Sequence, residues 1–153
     1  MSRAATAAGQ IGDRRPRLLE RIQDILGVRA LRSERDLVSL VERRLTPAAI
    51  DALRASGLSD DELYAIVIPR RTLAHRRARR QALSRDESDR VVRVARIAGL
   101  AEEVFDDPER SWRWLRGAKR QFQRRTPLEL LATEAGARLV EELLYRIDEG
   151  IAA

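Results

Sequence analysis

Helix-start signals recur along this chain and constrain its fold more than any other feature. At three predicted helix starts a serine or threonine stands three residues before a glutamate, so that each side chain can bond a backbone N–H near the other; the pairs are Ser59 and Glu62, Ser84 and Glu87, and Thr126 and Glu129. Apolar residues at helical spacing follow these signals, and no segment alternates with the period of two that a half-buried strand requires. The sequence therefore predicts an all-α fold with nine helices at most.

The longest predicted helix begins after Ser84 and has an apolar face at helical spacing, made of Val91, Val94, Ala95, Ala98 and Ala101. A seam near residues 104–108 separates a basic first part from the C-terminal part, and we expect the long helix to belong to both. Residues 1–12 are small and polar, which predicts disorder there.

Arginine dominates the charge of the chain. The 153 residues include 30 basic and 24 acidic side chains, for a formal net charge of +6, and Lys119 is the one lysine. This balance favours a polyanionic partner, although a genome rich in G and C also favours arginine codons. No apolar run approaches the length of a membrane span and no signal peptide is visible, so we expect a cytoplasmic protein with no membrane partner.

Side chains suited to catalysis or metal binding are scarce. The chain has no cysteine and one histidine, His75, which excludes a disulfide framework, a cysteine metal site and a histidine cluster. No glycine-rich phosphate loop or nucleophile elbow is present. Adjacent carboxylates such as Glu102 and Glu103 point about 100° apart on a helix, which does not suit a shared acid–base site. We therefore expect neither an enzyme nor a cofactor.

Residues 59–80 have the layout of a helix-turn-helix: a short capped helix, a tight turn, and a second helix with six arginines and no acid between residues 70 and 80. In such motifs the N-terminal residues of the second helix face the DNA bases. The candidate DNA contacts are Arg70, Arg71, Thr72, His75 and Arg76. The alternative is a solvated basic helix whose Leu73 packs inward. Val67 stands where this turn often has glycine, and a β-branched residue resists a positive φ, so the turn must differ from the common form.

Residues 125–150 predict two abutting helices. Thr126 and Pro127 start the first and Thr133 caps the second, whose apolar stripe is Val140, Leu143, Leu144 and Ile147. Taken alone, this is a helical hairpin that closes a core. Gly136 costs a helix about 1 kcal/mol relative to alanine, so we expect another element to approach closely there.

The segment before this hairpin, residues 112–125, carries six basic side chains and no acid. By itself it is also consistent with a second phosphate-binding patch. Of its two tryptophans, Trp114 is favoured as a core residue, and Trp112 is left open between the core and an interface.

The amino-acid sequence of residues 125–140 resembles the toxin-binding domain of the Xre/MbcA/ParS-type antitoxins. The resemblance extends to Trp114–Leu115 before this segment and to Arg146, Ile147 and Gly150 after it. The segment Ile68-Pro69-Arg70-Arg71-Thr72-Leu73, followed by Leu83-Ser84 and Glu87-Ser88-Asp89-Arg90, resembles the N-terminal part of the same antitoxins. The resemblance covers about residues 33–150. One loop departs from the family pattern, which often has an Asn and a Gly pair where this chain has Lys119, Gln123 and Arg124.

The resemblance implies a small helical antitoxin that binds a RES-domain, NAD-consuming toxin and represses its own operon. It implies an Xre-like helix-turn-helix domain at residues 33–104 and a toxin-binding domain at 105–153, after a variable extension at 1–32. In the family the C-terminal region covers the mouth of the toxin's NAD pocket. Carried onto this sequence, the toxin-binding candidates are Arg124, Arg125, Thr126, Arg146 and Gly150.

Three functions are open at this point. The first is an antitoxin that binds both a toxin and operator DNA. The second is a stand-alone DNA-binding regulator whose C-terminal part only dimerises, and the third is a protein-interaction module whose basic face is incidental. We expect a homodimer, because two recognition helices one DNA turn apart match a palindromic operator, and we expect the first helix to contribute to it.

Overall fold

The computed structural model describes residues 17–151, which fold into helices joined by short loops. The helices are α1 (17–26), α2 (Glu34–Arg43), α3 (Ala48–Ser56), α4 (Asp60–Ile66), α5 (Arg70–Ala78), α6 (Arg85–Phe105), α7 (Pro108–Arg116), a 3₁₀ turn (Arg120–Phe122), α8 (Pro127–Leu130) and α9 (Glu134–Asp148). No strand occurs between residues 17 and 151, and the all-α prediction is confirmed. The predicted disorder of residues 1–12 lies outside the described residues.

The long helix α6 is the central element of the fold. It packs against α2, α3, α7 and α9, and Val91, Val94, Ala95, Ile97 and Ala101 are fully buried along it. Apolar residues on most of its sides allow this helix to be buried against several neighbours at once. Over the described residues, no helix combines the length and the apolar character needed to cross a membrane.

The three predicted capping boxes are all present. The hydroxyls of Ser59, Ser84 and Thr126 accept hydrogen bonds from backbone N–H groups at the starts of α4, α6 and α8. The glutamate three residues later accepts the backbone N–H of the capping residue in each case. The Thr133 hydroxyl accepts the N–H of Gly136 and caps α9. These caps fix where four of the helices begin, since they satisfy donors that have no partner within the helix.

Two arginines of α6 bind the start and middle of α9. Arg93 donates to Glu134 at 3.1 Å and to the carbonyls of Leu131 and Ala132. Arg96 donates to Glu141 at 2.9 Å. The side chain of Arg93 is only 11% exposed, so these charge-assisted bonds lie away from most of the solvent. They join the basic first part of the chain to its C-terminal hairpin.

The burial of the two tryptophans differs in part from the expectation. Trp112, which the sequence left open, is the buried one at 4% exposure. Trp114 is half-buried, packs against the edge of the core and lies 5.6 Å from the ring of Phe105. The preference for Trp114 as the core residue is therefore only partly right. The reason is the direction of α7, which turns Trp112 toward the loop after α3.

Candidate DNA-binding and toxin-binding surfaces

The helix-turn-helix consists of α4, the turn at residues 67–69, and α5. Its inner side is apolar, with Leu63, Ile68 and Leu73 almost fully buried. Val67 has φ −110° and is buried at the C-terminus of α4. The turn therefore contains no positive φ, which agrees with the expectation that a β-branched residue excludes the common glycine form.

The outward face of α5 presents cations at its N-terminal end. Arg70, Arg71 and His75 are exposed, and Thr72 is half-buried. Among the described residues, no ion pair or side-chain hydrogen bond reaches Arg70 or Arg71. The first turn of α5 therefore offers two guanidinium groups that remain open to an external anion, and bidentate donors of this kind suit phosphate or guanine.

Two other arginines of α5 have partners inside the molecule. Arg76 donates to both carboxylate oxygens of Glu87, at 3.3 and 3.2 Å, and Arg77 pairs with Asp51 at 2.7 Å. Burial opposes the charged form of Glu87, but the Ser84 N–H and Arg76 outweigh it and lower the pKa of the Glu87 carboxyl. These pairs tie α5 to α6 and α3. Arg76 stays a predicted DNA contact, although its guanidinium also has this structural role.

The loop between α7 and α8 is closed by its own backbone. The N–H of Arg124 donates to the carbonyl of Lys119, and the N–H of Lys119 donates to the carbonyl of Arg125, at 2.9 and 3.0 Å. Gln123 and Arg124 have φ angles of 54° and 64°. These are two of the positions that the family often fills with an Asn and a Gly pair, and glycine favours such left-handed backbone. In this chain two residues other than glycine adopt the left-handed backbone of the loop.

Within this loop the basic side chains have different surroundings. The Lys119 ammonium donates to the carbonyl of Trp114 at 2.9 Å and lies 4.8 Å from that ring centre, and burial lowers its pKa. Arg124 and Arg125 are exposed. Thr126 uses its hydroxyl to cap α8. Arg120 in the 3₁₀ turn is exposed as well, so three arginines of this loop face outward, two of them toxin-binding candidates.

The remaining toxin-binding candidates lie at the end of α9. Arg146 and Gly150 are exposed. The chain turns at Gly150, which has φ 72°, and the N–H of Ile151 donates to the carbonyl of Arg146 at 2.8 Å. Arg146 and Gly150 thus share one helix terminus, whereas Arg124, Arg125 and Thr126 share one loop.

A contact between α7 and α4 was not anticipated from the sequence. Arg116 donates to both carboxylate oxygens of Glu62, at 2.6 and 3.0 Å, and to the carbonyl of Gly57. Its guanidinium also lies 5.3 Å from the ring centre of Trp112, whose indole N–H donates to the carbonyl of Ser56 at 2.6 Å. This α7–α4 clamp fastens the C-terminal part to the first helix of the helix-turn-helix.

Electrostatics and close packing reinforce the α7–α4 clamp. Burial disfavours the charged form of Glu62, but Arg116 and the Ser59 N–H outweigh it and lower the pKa of its carboxyl. Gly57 has φ 131°, and a Cβ there would lie 2.5 Å from the indole nitrogen of Trp112. The sequence showed Gly57 as a helix stop, but no local pattern links it to a tryptophan 55 positions later.

Two family models match successive parts of the chain. Residues 36–96 match the family model of the antitoxin Xre-like helix-turn-helix domain, and residues 100–150 match that of the antitoxin Xre/MbcA/ParS C-terminal toxin-binding domain. Antitoxin Xre of Pseudomonas putida is 35% identical over 130 residues, which cover 85% of this chain and 82% of the relative. The chain belongs to the Xre/MbcA/ParS antitoxin family. Antitoxin Xre of Yersinia enterocolitica is 30% identical over 118 residues, or 75% of this chain and 80% of that relative.

Family membership settles the broad functional class. The protein is an antitoxin, which confirms the resemblance seen in the sequence and the expectation that it is not an enzyme. Antitoxins of this family combine a helix-turn-helix with a toxin-binding domain. The exposed cations of α5 lie in the first of these domains, and the loop with Arg124 lies in the second.

Proposed function

We propose that this antitoxin neutralises a RES-domain, NAD-consuming toxin in the cytoplasm and represses its own operon as a homodimer. The observation that carries the proposal is the order of the two family matches, at residues 36–96 and 100–150. On this basis we assign DNA binding to residues 33–104 and toxin binding to 105–153. The basic face of α5 supports the first assignment. The exposed arginines of the α7–α8 loop and the end of α9 support the second.

Neutralisation in this proposal works by occlusion. Residues 146–153 and the loop at 124–126 cover the mouth of the toxin's NAD pocket, so that the cofactor cannot enter. In this proposal the exposed guanidinium groups of Arg124, Arg125 and Arg146 bind carboxylates of the toxin around that mouth, because guanidinium presents charge-assisted donors to anions.

The deciding experiment is co-expression of the full chain with the product of the neighbouring gene, followed by affinity pull-down, a growth assay and measurement of cellular NAD. A stable complex with growth and NAD restored supports the proposal. Absence of both the complex and the rescue contradicts it and favours a stand-alone DNA-binding regulator.

Occlusion is tested by variants of the same chain. Deletion of residues 146–153, or reversal of charge at Arg124 and Arg146, should abolish rescue. Arg113→Glu is the control, because Arg113 is 74% exposed in the same domain but is not a proposed contact. Full rescue by the deletion variant would refute occlusion by this segment.

Operator binding is tested by titrating DNA from upstream of the gene over a range of salt concentrations. Each phosphate contact contributes about −0.9 to the slope of log K against log salt. Arg70→Ala and Arg71→Ala should weaken binding, and Arg138→Ala, which is 73% exposed on α9, should not. Equal effects of all three changes would exclude α5 as the reading element.

A further inference from the structure

The outer face of α2 is an exposed surface that neither proposed binding activity uses. Val38 is 58% exposed at its centre. It lines a groove of about 840 Å³ between α2, α1 and α9, with Leu18 and Leu19 on one wall and Tyr145 on another. Exposed apolar side chains beside an apolar groove commonly mark a surface that binds a protein.

Charges flank Val38 in a definite order. Arg35, Val38 and Glu42 are spaced i, i+3 and i+7, so they form one stripe along α2 with a cation at one end and an anion at the other. Within the described residues, neither Arg35 nor Glu42 takes part in an ion pair. The order also opposes the helix dipole, which favours anions in the first turn and cations in the last. The stability of α2 alone therefore does not explain why Arg35 precedes Glu42 along this stripe.

We propose that a second copy of this chain docks on this stripe, with the two α2 helices antiparallel about a two-fold axis near Val38. A two-fold contact brings the same surface of both copies together, so the surface must be complementary to itself. In this arrangement Val38 packs against Val38 of the other copy. Arg35 of each copy then lies opposite Glu42 of the other, at both ends of the contact.

The charge of the groove favours a second copy over nucleic acid. Its lining includes three arginines and four carboxylates, and a phosphate backbone requires a clear excess of cations. The mixed charge is distributed so that rotation about the two-fold axis pairs opposite signs. The inference rests on the homodimer within the proposed function, and it names the surface that forms it.

The first test measures the oligomeric state of the full chain by sedimentation equilibrium, without DNA or toxin. The wild type should be dimeric at about 100 µM, and Val38→Glu should weaken the dimer at least about 100-fold, because it places two carboxylates together at the axis. Leu139→Glu is the matched control, since Leu139 is 50% exposed on α9 and does not line the groove. Far-UV circular dichroism checks that each variant is folded.

A charge exchange tests the antiparallel arrangement directly. Arg35→Glu alone should weaken the dimer about tenfold, because like charges then meet at both ends. Adding Glu42→Arg should restore it to within about threefold, since the pairs are re-formed with their signs reversed. If the double variant dimerises as weakly as the single variant, the pairing of these two residues is refuted.

The outcomes separate this inference from the function on which it rests. A monomeric wild type, or a dimer that survives Val38→Glu, overturns the inference whatever the chain binds. If Val38→Glu stays dimeric and loses the toxin complex, the groove belongs to the toxin instead. If the dimer dissociates as expected but no variant binds DNA or toxin, the proposed function fails and the dimer surface stands.

Discussion

Gly136 gives the sharpest test of how the C-terminal hairpin is built. It is the third residue of α9, and a Cβ added there would overlap the carbonyl oxygen of Leu130 and lie 2.9 Å from its carbonyl carbon. Real Cβ atoms essentially never come closer than 3.0 Å to another heavy atom. The Gly136→Ala substitution therefore requires the α8 backbone to move by about 1 Å, since the neighbouring atom is not the end of a flexible side chain.

Two effects of Gly136→Ala oppose each other, and their sizes decide the sign. Alanine stabilises a helix by up to about 1 kcal/mol relative to glycine. Forcing extra volume into a packed site costs about 1–3 kcal/mol, and a backbone obstacle places this case at the upper end. We expect a net loss of about 2 kcal/mol in the free energy of unfolding, which lowers Tm by about 4–8 °C.

The measurement is urea unfolding of the full chain, followed by circular dichroism. Gly99→Ala is the control, because Gly99 is also helical but its added Cβ would approach only side-chain carbons, of which the nearest belongs to Ile22 at 3.2 Å. We expect that control to change stability much less. If Gly136→Ala were as stable as the wild type or more stable, the close approach of α8 to α9 would not be the reason for glycine at this position.

Three further predictions concern bonds that join the parts of the molecule. Trp112→Phe should cost about 1–2 kcal/mol in urea unfolding, because the carbonyl that accepted the indole N–H loses its partner. Arg93→Ala should lower the free energy of unfolding by about 1–3 kcal/mol in the same assay. Arg138→Ala, at an exposed arginine, should lower it by under about 0.5 kcal/mol. Equal losses of stability in the two variants would contradict the role of burial. The pKa of Glu87 is lowered on folding. The ionised Glu87 carboxyl therefore stabilises the folded state above its unfolded pKa of about 4.3, and this stabilisation is lost as pH falls through the folded pKa. Unfolding between about pH 5 and 2 should therefore become less pH-dependent in Glu87→Gln than in the wild type or in the exposed control Glu149→Gln.

Most of the fold was predictable because its signals are local. A capping residue, its glutamate and the apolar stripe that follows all lie within a few residues of one another, so Ser84 with Glu87 predicts the start of α6 without knowledge of any neighbour. The close approach at Gly136 was likewise indicated by an unfavourable residue inside a helix. The resemblance of two successive segments to one antitoxin family extended the prediction from the fold to the functional class.

The surroundings of individual side chains were less predictable because they depend on distant residues. In the sequence Arg76 is one more cation of a basic helix, and only the structure shows that α6 places Glu87 beside it. Arg116 and Glu62 are 54 positions apart, and no spacing rule connects them. Trp112 and Trp114 are two residues apart on one helix, so only the orientation of α7 decides which is buried. The sequence thus predicted where the helices lie, but not which of their cations remain open to a partner.

The bonds of Arg93 and the α7–α4 clamp have a consequence for how long this antitoxin lasts in a cell. Because α6 is part of the core on both sides of the proposed division, opening of the toxin-binding end removes support from the helix-turn-helix as well. A protease that captures either end in an unfolded state therefore gains access to the whole chain. Protection from the toxin and the proposed repression of the operon would then end in the same degradation event, and a cell could not lose one while keeping the other.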